Sequence, residues 1–165
     1  MHASDLRDFY EYLIDSRSRM LEKARSLGWA EFSRDRGATW GSMLLVYLHM
    51  LDVEEAWLQV ADRRGGTAAE SPDRKAEDYP DFDTVAADSR KVDALTRSRL
   101  ARLQDSDLGV EIEFYWPEKL VRTYERLAVH AFVDEVAHLG ELVCLFWQSG
   151  VEPPFIDWLD YRLPP

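Results

Sequence analysis

Three side chains on one stretch of the chain are of types that bind a metal. His130, Asp134 and His138 lie at i, i+4 and i+8 within Leu127–Gln148, LAVHAFVDEVAHLGELVCLFWQ. This stretch has no proline and one glycine, Gly140, and its pattern predicts a single long helix. At about 100° per residue each step of four drifts about 40°, so the three fall within about 80° of arc on one face. Leu127, Ala131 and Leu145 share that side, so the polar column borders an apolar stripe. Polar groups set against a core are costly unless paired or ligated. Asp134 and His138 form D-x-x-x-H, a carboxylate and an imidazole one turn apart, and His49 offers a third donor from a different predicted helix. Two imidazoles and a carboxylate leave coordination positions open for water or substrate, as catalytic metal sites do. The same spacing also fits a buried Asp–His hydrogen bond without metal, which is the commoner arrangement when spacing is the only guide.

The elements that must carry these donors are helical. The first helix is expected over about Ser4–Ser26, with Ser4 as N-cap, Leu6, Phe9, Tyr10, Leu13, Met20, Leu21 and Ala24 as its stripe, and Gly28 as its stop. Arg17 interrupts that stripe and is expected to snorkel or to pair with a carboxylate. Residues 28–39 form a connection. The second helix, about Trp40–Arg63 with Thr39 or Ser42 as cap, is apolar on two sides, which suits a helix wedged in a bundle; His49 lies deep within it. Residues 64–81, with two glycines, two prolines and many charges, read as a solvated crossover. The third helix, about Phe82–Gln104, has a thinner stripe, and its Arg and Lys residues read as a solvated face. Residues 105–117 alternate apolar and polar without an evident partner strand and are expected to be an extended connector. Pro117 then fits the first turn of the last helix, which should end at Gly150. In the tail, Phe155, Trp158 and Tyr161 are expected against one end of the bundle. These elements predict an all-α four-helix bundle, a single domain over residues 1–165.

Composition narrows the function classes. Of 165 residues, 31 are acidic and 20 basic, a net charge of −11 that disfavours nucleic acid and anionic membranes as partners. No run approaches the 18 or so apolar residues of a membrane span. The N-terminus lacks the basic segment and apolar run of an export signal, so a cytoplasmic location is the expectation. The single cysteine, Cys144, cannot form an internal disulfide, and its apolar context predicts a small buried hydrophobe. His2, at the chain end, is expected to be loose.

The segment His130-Ala-Phe-Val-Asp134-Glu135-Val-Ala-His138-Leu-Gly140-Glu141-Leu142 resembles the last-helix motif of the DinB/YfiT-like metalloenzyme family, H-x-x-x-H-E-x-x-H-x-G-Q/E. The run Ser42–Leu58, SMLLVYLHMLDVEEAWL, resembles that family's second helix, and Gly150, Pro153, Pro154 and Tyr161 look like its tail. The resemblance implies an up-down-down-up four-helix bundle with a long crossover, often dimeric. It also implies a metal triad carried over as His49, Asp134 and His138, with Asp134 standing where the family most often has His. Zn, Ni, Fe or Mn would suit such donors. His130, Glu135 and Glu141 also match the motif; His130 is expected to orient Asp134, and Glu135, turned towards the core, to pair with a cation on the first or second helix.

The reading that follows is a divalent-metal-dependent enzyme with a small-molecule substrate, a thiol S-transferase using a low-molecular-weight thiol or a hydrolase. Tyr12, Tyr47 and Glu135 are the candidate proton carriers. The alternatives are a non-enzymatic metal-binding or stress-related bundle with a degenerate site, and a plain helical scaffold.

Overall fold

The computed structural model describes residues 1–67, 72–159 and 161. Four long helices dominate: α1 (Ala3–Arg25), α3 (Met43–Asp62), α4 (Phe82–Arg102) and α6 (Tyr124–Gln148). Each later helix starts on a side-chain oxygen that takes up an orphan backbone N–H. Ser42 accepts from Leu45 N (3.2 Å), Asp81 from Thr84 N (2.8 Å) and Thr123 from Arg126 N (3.3 Å). The first helix starts one residue earlier than expected, because Asp5 accepts from His2 N (2.7 Å) and Ser4 lies inside the helix. His2 is not loose: its ring lies 2.7 Å from the Asp105 carboxylate, which also accepts from Ala3 N.

Contacts between side chains fix the topology. Arg7 reaches the Leu100 carbonyl and Arg25 reaches Asp83, so α1 and α4 are antiparallel. Tyr47 bonds Ser89 and Arg99 pairs with Asp62, so α3 and α4 are parallel. Tyr10 stacks on Phe132 and Arg17 meets Glu135, so α1 and α6 are parallel. His49 faces Asp134 and Trp57 faces His130, so α3 and α6 are antiparallel. This is the expected up-down-down-up order. Leu6, Leu13, Leu44, Leu51, Leu58, Val85 and Phe132 are wholly buried among the four helices.

The connections depart from expectation. A short helix, α2 (Trp29–Phe32), interrupts residues 28–39 and buries Phe32. Residues 105–117 are not an unpartnered connector. After a short helix, α5 (Asp105–Leu108), strand β2 (Glu111–Tyr115) pairs antiparallel with β3 (Lys119–Thr123), and β1 (Gly66–Thr67) adds in parallel on the other side. The missing partner was the segment assigned to the start of the last helix. Pro117 sits between the two strands rather than in a first helical turn, so α6 begins seven residues later, at Tyr124. The apolar alternation was informative about the face: Ile112 and Phe114 are buried and their neighbours exposed. Gly65, with φ +144°, lets the crossover approach β2, since a Cβ there would lie 2.8 Å from the Glu113 carbonyl oxygen. Part of the crossover, residues 68–71, lies outside the described residues.

Several side chains also correct the sequence reading. Cys144 is exposed on the outer face of α6. On α4, Arg99 is buried against Asp62 and Arg97 pairs with Glu11, so this is not simply a solvated basic face. Trp158 packs edge-on against Phe9 and Tyr12, and Tyr161 against Tyr12, while Phe155 stays exposed.

Candidate metal centre

The antiparallel pairing of α3 and α6 brings His49 opposite Asp134 and His138, and one ligand atom from each lies within 4.8 Å of the others. His49 Nε2 is 3.7 Å and His138 Nε2 3.6 Å from the same oxygen, Asp134 Oδ2. The two imidazole rings meet nearly at right angles, with centroids 4.8 Å apart.

Both gaps are too long for a hydrogen bond. Asp134 Oδ2 is buried and has no hydrogen-bond partner among the described residues. An orphaned carboxylate oxygen beside two imidazole nitrogens is costly as it stands. The same spacing suits donors that share one ion, each at about 2.0–2.2 Å from it. The plainer alternative, a buried Asp–His hydrogen bond, is therefore absent from this geometry, and the three residues could hold a metal ion.

The surroundings prepare the imidazoles as donors. His138 Nδ1 lies 3.0 Å from Glu141 Oε2, one turn further along α6. A proton held on Nδ1 by that carboxylate leaves the Nε2 lone pair facing Asp134. Burial would push the Glu141 carboxyl up, but the Thr39 N–H at 2.8 Å and His138 hold it below the usual range. Burial, together with the neighbouring His138, pushes the His49 imidazole below its usual pKa, which favours the neutral form that ligates. Trp40 lies flat on the His49 ring, centroids 3.9 Å apart. Beside His49 opens a cavity of about 350 Å³, walled by Trp40, Leu45 and the crossover residues Asp73–Glu77. Arg74 anchors that wall, bonding Asp52 (2.6 Å), Glu55 (2.8 Å) and Asp88 (2.7 Å).

The remaining sequence candidates lie elsewhere. Glu135 points into the bundle, where Arg17 Nη1 is 3.0 Å from its Oε1. This is the pairing with a first-helix cation that was expected. Arg17 also donates to Glu54 (2.8 Å) and Asp93 (2.6 Å), and Glu54 accepts from Tyr10 and Thr96. Neither Glu135 oxygen meets a donor in hydrogen-bonding direction. Burial pushes the Glu135 carboxyl up to about 8, against the pull of Arg17. His130 is exposed and stands edge-on to Trp57; none of the hydrogen bonds or ion pairs among the described residues joins it to Asp134. Tyr12 packs under Trp158, and Tyr47 donates to Ser89 on α4, so neither phenol faces the three donors. Two site residues escaped assignment in the sequence. Glu141 had matched the motif without being given a role, which its place at i+3 from a helical His could have suggested; Trp40, which lies before the α3 cap, had no signal.

The profile of the DinB family matches residues 1–164. Among curated proteins none matches the chain. Among solved structures, a DinB-like protein of Bacillus subtilis, YjoA, superposes with a TM-score of 0.68 at 19% identity, over 90% of this chain and 96% of that one. At that identity the likeness speaks for the fold alone, while the profile match runs nearly end to end: the chain belongs to the DinB family.

Proposed function

We propose that this chain is a divalent-metal-dependent enzyme acting on a small molecule, with His49, Asp134 and His138 as its ligands. The observation that carries the reading is Asp134 Oδ2, buried, without a hydrogen-bond partner among the described residues and nearly equidistant from two imidazole nitrogens. Zn, Ni, Fe or Mn fits the donor set, and such a cation supplies Lewis acidity, lowering the pKa of a water or a thiol. Glu141 fixes the tautomer and direction of the His138 ring. Trp40 covers one face of the His49 ring. The cavity beside His49 is of a size for a small substrate, a low-molecular-weight thiol with its electrophile or a hydrolysable molecule.

Elemental analysis of protein purified without a histidine tag tests the ligand set. About one ion per chain is expected in the wild type and none in His49→Ala or His138→Ala. Stoichiometric metal in both variants would refute the assignment. Turnover with thiols and a panel of electrophiles, with and without a chelator, then separates an enzyme from a metal-binding bundle without activity.

We also infer a homodimer. Val133, Ala137, Gly140, Cys144 and Trp147 are all exposed on α6 at alternating steps of four and three, an uncharged seam of heptad spacing. Val133 and Trp147 leave more than half of their surface in solvent, which suits a second copy packing helix against helix.

A further inference from the structure

A second cleft opens further along the seam between α3 and α6, at the end nearer the hairpin. Its volume is about 190 Å³. Trp57 from α3 and Phe114 from β2 are buried at its base, with Leu127 of α6 beside them. The Trp57 ring stands perpendicular to three neighbours, Phe114 (5.5 Å), Trp116 (5.3 Å) and His130 (5.0 Å). Trp116 nevertheless keeps 53% of its surface exposed. A cavity of about 150 Å³ with apolar walls suffices for benzene, so this cleft has room for one ring.

Two arginines, Arg122 and Arg126, both exposed to solvent, line its rim. The β2–β3 register pairs Arg122 with Ile112 and Leu120 with Phe114, so Arg122 leaves the hairpin on the same side as the buried Ile112 and Phe114, with its side chain exposed at the edge of that face. Among the described residues its guanidinium donates to the carbonyl of Val121 alone (2.7 Å). Arg126 lies in the first turn of α6, where the helix dipole disfavours a cation. Among the described residues neither guanidinium has a carboxylate partner, in a chain with 31 acidic residues to choose from. Among the described residues no acidic side chain lines the cleft. An aromatic recess alone would suit a cation, but two unneutralised guanidinium groups at its mouth repel one and call for an anion.

We propose that this cleft binds a small aromatic carboxylate, its ring lodged against Trp57 and Trp116 and its carboxylate held between Arg122 and Arg126. The ring fills apolar surface that is otherwise open to water, and the carboxylate supplies the acceptor that both guanidinium groups lack. The site shares no lining residue with the cavity beside His49 and does not depend on a metal there.

Calorimetric titration of the chelator-treated full chain with phenylacetate, and with benzylamine as the cationic counterpart, tests the proposal. Phenylacetate is expected to bind saturably at one site, and benzylamine not at all. In R122M/R126M the affinity should fall roughly tenfold or more, the scale of a lost charged hydrogen bond. Trp116→Ala, at a half-exposed position that the fold tolerates, should weaken binding as well, and His49→Ala should leave it unchanged. Melting curves of the variants establish that they are folded. Absence of saturable binding, equal binding of benzylamine, or undiminished affinity in folded R122M/R126M overturns the proposal. So does loss of binding in His49→Ala, which would place the carboxylate at the other site.

Discussion

Single side chains divide the polar face of α6 into two environments. Asp134 looks outward to the two imidazoles, while its neighbour Glu135 looks inward to Arg17. The inward carboxylate should make stability depend on pH. Its folded-state pKa, about 8, lies above the ordinary carboxylate value, so folding favours the protonated form. The stabilisation this gives is complete below the unfolded value near 4.5 and is lost as pH rises through about 8. Denaturation midpoints of the metal-free protein should therefore fall between pH 5 and 8, and Glu135→Gln should flatten that slope; an unchanged slope in the variant would disprove the assignment. On the outward side, removing Glu141 deprives His138 of its orienting partner. Glu141→Ala is expected to weaken metal affinity by about 10–100-fold, measured by competition with a chelator. Helical spacing made Asp134 and His138 legible as neighbours on one face; His49, on another helix, was joined to them by the resemblance to the family's motifs and not by spacing. The role of His130 was not legible, because a step of four along α6 carries it past Asp134 to the ring of Trp57.

At the scale of elements, the four long helices were legible from their periodicity and caps, and the sheet was not. A two-residue strand such as β1 leaves no pattern, and β3, five residues long, was masked by a proline that suits a helix start equally well. Arg17 shows a similar limit: periodicity located it as a break in the stripe, but only packing reveals the carboxylates on three other helices that surround it. The hairpin depends on the close approach at Gly65. Gly65→Ala should cost about 1–3 kcal/mol, because the backbone conformation there is essentially restricted to glycine and the new Cβ would strike the Glu113 carbonyl. Chemical denaturation reads the total cost, and amide exchange at Tyr115, whose N–H points away from β3 and towards β1, should report the loosening of β1 from β2.

For the whole molecule, the outer seam of α6 decides whether one chain or two is the working unit. Trp147→Glu would place a charge on that seam at an exposed position, where the folded monomer loses little. Light scattering coupled to size exclusion is expected to show a dimer for the wild type and a monomer for the variant; a wild-type monomer would remove the basis for a paired assembly. A net charge of −11 favours the same choice of a dry, uncharged seam, since acidic surfaces repel one another.

The three bonds of Arg74 have one more effect. A single guanidinium sutures the crossover to α3 through Asp52 and Glu55, and to α4 through Asp88. The doorway beside His49 is thereby geared to the distance between two neighbouring helices: when the bundle breathes, the threshold moves with it, and a guest gripped inside would in turn brace the two helices against spreading.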